Sequence, residues 1–219
     1  MSPRVIIHAS VAPMHAEARV SSVQISQRLA GHAVSVLETQ GDWLHVRGDD
    51  DYDGWMHRGF VDQTGEVPPD GARRALSLGC VVRNHQSRST RALPLGAWLS
   101  RDETVTSGQA IDDDARPTAF PRDGRAVSQT ALERFAGTPY QWGGVSPWGA
   151  DCSGLVQTVF WLHGVQLPRD AWQQAEVGED AGADASGWRS GDLAFFSDRE
   201  DRRVTHVGVA LGQTRMVHL

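Results

Sequence analysis

One short stretch, Gly149-Ala150-Asp151-Cys152-Ser153-Gly154-Leu155, constrains this 219-residue chain more than any other. A polar, glycine-bearing turn runs straight into the apolar segment Leu155-Val156-Gln157-Thr158-Val159-Phe160-Trp161-Leu162. That transition predicts a helix with Cys152 in its first turn, running to about His163 and ending at Gly164. A helix start points unpaired N–H groups and the positive end of the helix dipole at such a residue. That field favours the thiolate, which is the nucleophilic form. Downstream, His206 lies in Thr205-His206-Val207-Gly208-Val209 and His218 in Val217-His218-Leu219, both strand-like runs. One cysteine at a helix start followed by two histidines on strands is the arrangement expected of a cysteine hydrolase. In that reading Cys152 is the nucleophile and His206 the general base. His218 orients His206 through its other ring nitrogen. The Cys152 N–H is the first choice of oxyanion donor.

The flanking sequence gives the fold class. Ser128 to Ala136 has helical spacing, with Ser128 as N-cap and Gly137 as stop. Ala171 to Gly178 predicts a third, short helix. Ser190 to Phe196, His206 to Leu211 and Arg215 to His218 read as strands. Helices followed by an antiparallel sheet make an α+β domain, expected over residues 126–219.

Upstream the chain reads as all-β. Arg19-Val20-Ser21-Ser22-Val23, Gly31 to Leu37, Trp43 to Arg47 and Gly54 to Met56 are short runs separated by polar turns. The recurrence of Gly-Asp-Trp and Gly-Trp resembles a bacterial SH3-like barrel, expected over residues 1–65. Glu66 to Gly71 is a Pro- and Gly-containing connector. Leu78 to Arg83, Leu95 to Leu99 and Thr104 to Thr106 suggest a second, divergent SH3-like barrel over residues 66–125, with Pro121 to Gly124 as the hinge.

Composition excludes several classes. The formal net charge is −6, which argues against wholesale nucleic-acid binding. All 21 basic residues are arginine, a compositional bias and not a site. No apolar run reaches the length of a membrane span. The beginning of the chain lacks the pattern of a secretory signal, so a cytoplasmic location is the expectation. A zinc site from one cysteine and two histidines would lack close ligand pairs, so no metal or cofactor is expected. Cys80, in an apolar run, reads as a core thiol.

Residues 128–219 resemble the NlpC/p-sixty family of cysteine peptidases, which cut bacterial cell-wall peptides. The matching elements occur in family order. They are Pro139-Tyr140-Gln141-Trp142-Gly143-Gly144, Asp151-Cys152-Ser153-Gly154, Leu167-Pro168-Arg169-Asp170, Gly191-Asp192-Leu193, His206-Val207-Gly208 and Val217-His218. The resemblance implies a papain-like fold and a Cys152, His206, His218 triad. It also implies further sheet strands beyond Leu219. With SH3-like units upstream, it narrows to γ-D-glutamyl-L-diamino acid endopeptidases of murein peptide turnover. These act, as monomers, on peptides with a free N-terminal L-alanine. A buried ammonium needs carboxylate partners. Asp170 is the matching carboxylate, and Glu17 and Tyr52 match the family's SH3-side contacts. Ser153 and Asp151 fall on the substrate side, and Trp142 shapes the cleft wall. Arg169 pairs either with a substrate carboxylate or with a structural partner. The rival readings are an amidase or cross-bridge endopeptidase on intact wall, and a non-catalytic peptide-binding protein.

Overall fold

Alternation of buried and solvent-facing residues builds the first half of the molecule. The fold, taken from a computed structural model, is described for residues 3–62, 74–180, 182, 184 and 187–219. The Glu66 to Gly71 connector lies outside the described residues. The chain folds as two compact units, Met1–Ala115 and Arg116–Leu219.

The first unit opens with β1 (Arg4–Ile7), β2 (Val11–His15), β3 (Gln24–Leu29), β4 (Ala33–Gln40), β5 (Trp43–Arg47), β6 (Asp53–His57) and β7 (Val61–Asp62). They form one antiparallel sheet in the order β3-β2-β6-β5-β4-β1-β7. Every second residue points inward, so Val5, Ile7, Met14, Val34, Leu44, Val46 and Met56 close one core. Among the described residues, the outer strands β3 and β7 do not pair with each other. A second sheet follows, from β8 (Ala75–Asn84), β9 (Thr90–Leu93) and β10 (Glu103–Asp112), in the order β10-β8-β9.

One run read as a strand is a turn, and a second is a strand only in part, Trp98 bridging antiparallel to Leu76. Arg19 to Val23 connects β2 to β3, with Val20 82% and Val23 59% exposed. Hydrogen bonds local to the turn, Ser22 N–H to the Arg19 carbonyl and Glu17 N–H to Ser22 Oγ, take the place of a ladder. Leu95 to Leu99 does bury Leu95, Ala97 and Trp98, but the backbone turns at Gly96, whose φ is +89°. Only glycine takes that conformation without strain.

The second unit begins with α1 (Arg116–Ala119) and α2 (Gly124–Arg134). The N-cap of α2 is Asp123, not Ser128, and its carboxylate accepts the Ala126 N–H at 3.0 Å. Ser128 sits one turn further in and is buried. The hairpin β11 (Val145–Ser146) and β12 (Gly149–Ala150) leads into α3 (Cys152–Leu162), and α4 (Ala171–Gln174) follows. The chain then forms β13 (Leu193–Phe196), β14 (His206–Gly212) and β15 (Arg215–Val217), an antiparallel sheet in that order.

Helix α3 is the centre of this unit. Leu155, Val156, Val159 and Leu162 are fully buried, as are Val207, Val209 and Ala210 of β14, against which α3 packs. Each buried Leu or Val among them contributes about 1.5–3 kcal/mol. At the other end of α3, the buried His163 ring bonds the Pro121 carbonyl (2.6 Å) and Thr130 Oγ1 (2.9 Å), tying α2 to α3. The observed architecture is the expected one, helices on an antiparallel sheet preceded by antiparallel β structure.

Candidate active site

Asp151 begins α3 by capping it. Its Oδ1 accepts the Gly154 N–H at 2.7 Å, which satisfies a donor the helix leaves unpaired. Cys152 is therefore the first helical residue, and it is 7% exposed. The glycine at 154 is a packing requirement. A Cβ there would lie 2.0 Å from the Gly144 carbonyl oxygen, so only glycine lets the Gly143-Gly144 turn press against the helix start.

Strand β14 meets the same point. β14 packs against α3, and the Val207 N–H is among the groups that act to lower the Cys152 pKa. His206 is the residue before Val207, at the beginning of β14. His206 Nε2 lies 3.1 Å from His218 Nδ1, and the two rings cross at 89°. The pairing of β14 with β15 (Val209 opposite Val217) brings His218 back to His206. The start of α3 thus carries Cys152, the packed strand β14 begins with His206, and His218, just past β15, meets His206.

Burial pushes the Cys152 thiol above its ordinary pKa, and the Asp151 carboxylate adds to the rise. The Val207 and Ser153 N–H groups and Arg169 oppose it. His206 is held below its ordinary value, first by burial and then by His218. Burial thus works against the charged form of each group, while the helix start works for the thiolate.

The remaining expected site residues divide into groups. Arg169 is 1% exposed and grips Asp151 with both prongs, Nη1 to Oδ1 at 3.0 Å and Nη2 to Oδ2 at 2.7 Å. Ser153 is buried too, its Oγ accepting from Arg169 Nη1 at 2.9 Å and donating to Asp151 Oδ1 at 3.3 Å. Asp151, Ser153 and Arg169 thus bond one another beneath the helix start. Asp170 is half-buried at the start of α4, its N–H directed at Gln173 Oε1 (3.4 Å). Trp142 is 63% exposed, two residues beyond Tyr140. Glu17 and Tyr52 belong to the first unit. Glu17 is exposed and takes Arg19 Nη2 at 3.0 Å. Tyr52 packs against the first sheet's core, and its carbonyl accepts from Arg28 Nη2 at 3.1 Å.

Two groups at the site went unread in the sequence. Tyr140 bridges to Ala150 and is half exposed. Burial, then the nearby Cys152 and Asp151, hold its phenol above the ordinary value, which places it in the field of the sulfur. Its motif was visible, but the exposed Trp142 drew the assignment. The Val207 N–H is a backbone group, and no residue type announces it.

Helices on an antiparallel sheet, with a thiol at a helix start and an imidazole pair on the strands against it, define a papain-like domain. The sequence places it within that class. Residues 137–219 match the NlpC/P60 family and residues 10–62 the bacterial SH3 domain. A dipeptidyl-peptidase 6 of Lysinibacillus sphaericus is 30% identical, over 97% of this chain and 86% of that protein. A gamma-D-glutamyl-L-lysine dipeptidyl-peptidase of Bacillus cereus is 29% identical, over 88% of this chain and 66% of that protein. A crystal structure of an NlpC/P60 family protein from Bacillus cereus superposes with a TM-score of 0.78 at 20% identity, covering 98% of this chain and 90% of that one. The chain belongs to the NlpC/P60 family of peptidases.

Proposed function

We propose that this chain is a cysteine endopeptidase that hydrolyses the γ-D-glutamyl–L-diamino acid bond of murein peptides bearing a free N-terminal L-alanine. The observation that supports the chemistry is Cys152 as the first residue of α3, which packs against β14, together with the 3.1 Å contact of His206 Nε2 and His218 Nδ1. With Nε2 engaged by His218, Nδ1 is the nitrogen of His206 left to take the thiol proton. The sulfur attacks the glutamyl γ-carbonyl, and the Cys152 N–H receives the developing oxyanion. His206 returns the proton to the leaving amine of the diamino acid. Water, deprotonated by His206, then hydrolyses the thioester.

The substrate rests on the relatives, two of which carry the name gamma-D-glutamyl-L-lysine dipeptidyl-peptidase at 29% identity. A dipeptidyl-peptidase releases two residues from a free amino end. In this reading Asp170 receives the substrate ammonium. The enzyme is taken as a cytoplasmic monomer acting on released peptides. Two unpaired cysteines suit a reducing compartment.

Product analysis by mass spectrometry tests this on L-Ala-γ-D-Glu-L-Lys, its diaminopimelate counterpart, and both peptides with acetylated N-termini. Release of L-Ala-D-Glu from the free peptides and none from the acetylated ones is expected. Equal cleavage of both forms would favour an endopeptidase of intact wall and contradict the reading.

A further inference from the structure

A guanidinium keeps its charge wherever it is placed, so a 1% exposed arginine must be compensated on the spot. Arg169 is compensated by Asp151 through the two-pronged pair at 3.0 and 2.7 Å. The pair is the hub of a wider network. Arg169 Nη2 reaches the Gly144 carbonyl at 3.4 Å, and Asp151 Oδ2 accepts the Gly143 N–H at 2.8 Å. Gln174 Nε2, also buried, donates to the Ser153 carbonyl (3.1 Å) and the Pro168 carbonyl (2.9 Å). The Gly143-Gly144 turn, the first turn of α3, the Pro168-Arg169 segment and α4 are thereby fastened together around the residue that precedes Cys152.

The cap creates a conflict that this pair resolves. Asp151 is needed to start the helix, yet a carboxylate next to a thiol opposes the thiolate formed during attack. We propose that Arg169 is a positioning residue for the Cys152 sulfur, acting through Asp151 by locking its geometry and cancelling its charge, and that it does not meet substrate. The proposal rests on the reading of Cys152 as nucleophile. The charged or titratable groups that act on the sulfur are Asp151 and Arg169 at the helix start and Tyr140 on the preceding segment; the packed strand β14 begins with His206, which bonds His218. Within that set Asp151 raises the thiol and Arg169 lowers it.

The test is the pH profile of Cys152 alkylation by iodoacetamide. It is read by mass spectrometry on the peptide that carries Cys152, so the buried Cys80 does not enter. Arg169→Met should move the midpoint up by about one pH unit, and Asp151→Asn should move it down. The double variant, uncharged at both positions, should return close to wild type. Superimposed profiles for wild type and Arg169→Met, or shifts of both single variants in one direction, overturn the proposal. So does a rise in KM for Arg169→Met with the alkylation profile unmoved, since that is the signature of a substrate contact. If Arg169→Met does not fold, Asp151→Asn and the double variant decide. A downward shift in the first that the second lacks supports the proposal, and no difference between them overturns it. Alkylation needs no peptide. A wild-type enzyme that fails to cleave murein peptides strikes the proposed function and leaves this result standing.

Discussion

His206 Nε2 and His218 Nδ1 lie 3.1 Å apart with their rings at 89°, so the second imidazole holds the first edge-on. His218→Ala should lower kcat steeply, by up to about 10⁴-fold, the loss seen when the orienting member of a Ser-His-Asp triad is changed. His218→Gln, whose carbonyl can still accept the Nε2 proton, should lose less. The acid limb of kcat/KM should also move. His206 is held below its ordinary value of about 6.5 by burial and by His218. It acts as base only when neutral, so the wild-type limb falls below that pH. Removing His218 lifts one depressing influence, and the limb should shift to higher pH. Steady-state kinetics from pH 4 to 8 on both variants checks this.

The close approach of Gly154 to the Gly144 carbonyl predicts a steep cost for one methyl group. Gly154→Ala would force its Cβ to 2.0 Å from that oxygen and 3.0 Å from Asp151 Oδ1. A destabilisation of about 1–3 kcal/mol or more is expected, with loss of activity as the helix start shifts. At Gly178 a Cβ meets nothing within 4 Å. Gly178→Ala should stay within about 0.5 kcal/mol of wild type. Urea unfolding of both variants makes the comparison.

The elements that carry the proposed machinery were largely legible in the sequence, because each announces itself by residue type and position. Cys152 stands where polar turn becomes apolar helix, and His206 and His218 stand on strand-like runs in the right order. The strands Trp43 to Arg47 and His206 onward were legible for the same reason. What stayed hidden depends on what lies across from a residue. Alternation marked Arg19 to Val23 as a strand, but Val20 and Val23 have no core to face. Leu95 to Leu99 does face the core, yet the turn at Gly96 leaves it only the bridge of Trp98 to Leu76. The helix dipole acting on the thiol is visible in sequence, and the burial that opposes it is not. Arg169 had two open partners until the fold set Asp151 beside it.

His32, in the first unit, predicts how stability depends on acid. Burial lowers its pKa from 6.5 to about 4, against the hydrogen bond its Nε2 makes to the Gly96 carbonyl at 2.9 Å. The folded protein therefore keeps it neutral while the unfolded chain protonates it first. Its contribution is complete above pH 6.5 and is lost progressively as the pH falls toward 4. The loss amounts to at most about 3 kcal/mol, less for the part of the ring that solvent still reaches. Urea melts across that window should show a flatter slope in His32→Gln than in wild type.

The central claim is that the Cys152 sulfur carries the glutamyl group during turnover. Mixing enzyme with L-Ala-γ-D-Glu-L-Lys, quenching in acid within the first turnover and mapping the protein by mass spectrometry tests it directly. The account predicts an L-Ala-D-Glu acyl group in thioester linkage on the peptide containing Cys152, absent in Cys152→Ala, which also makes no product. Product formation at the wild-type rate by Cys152→Ala, or acylation at any other residue, would contradict it.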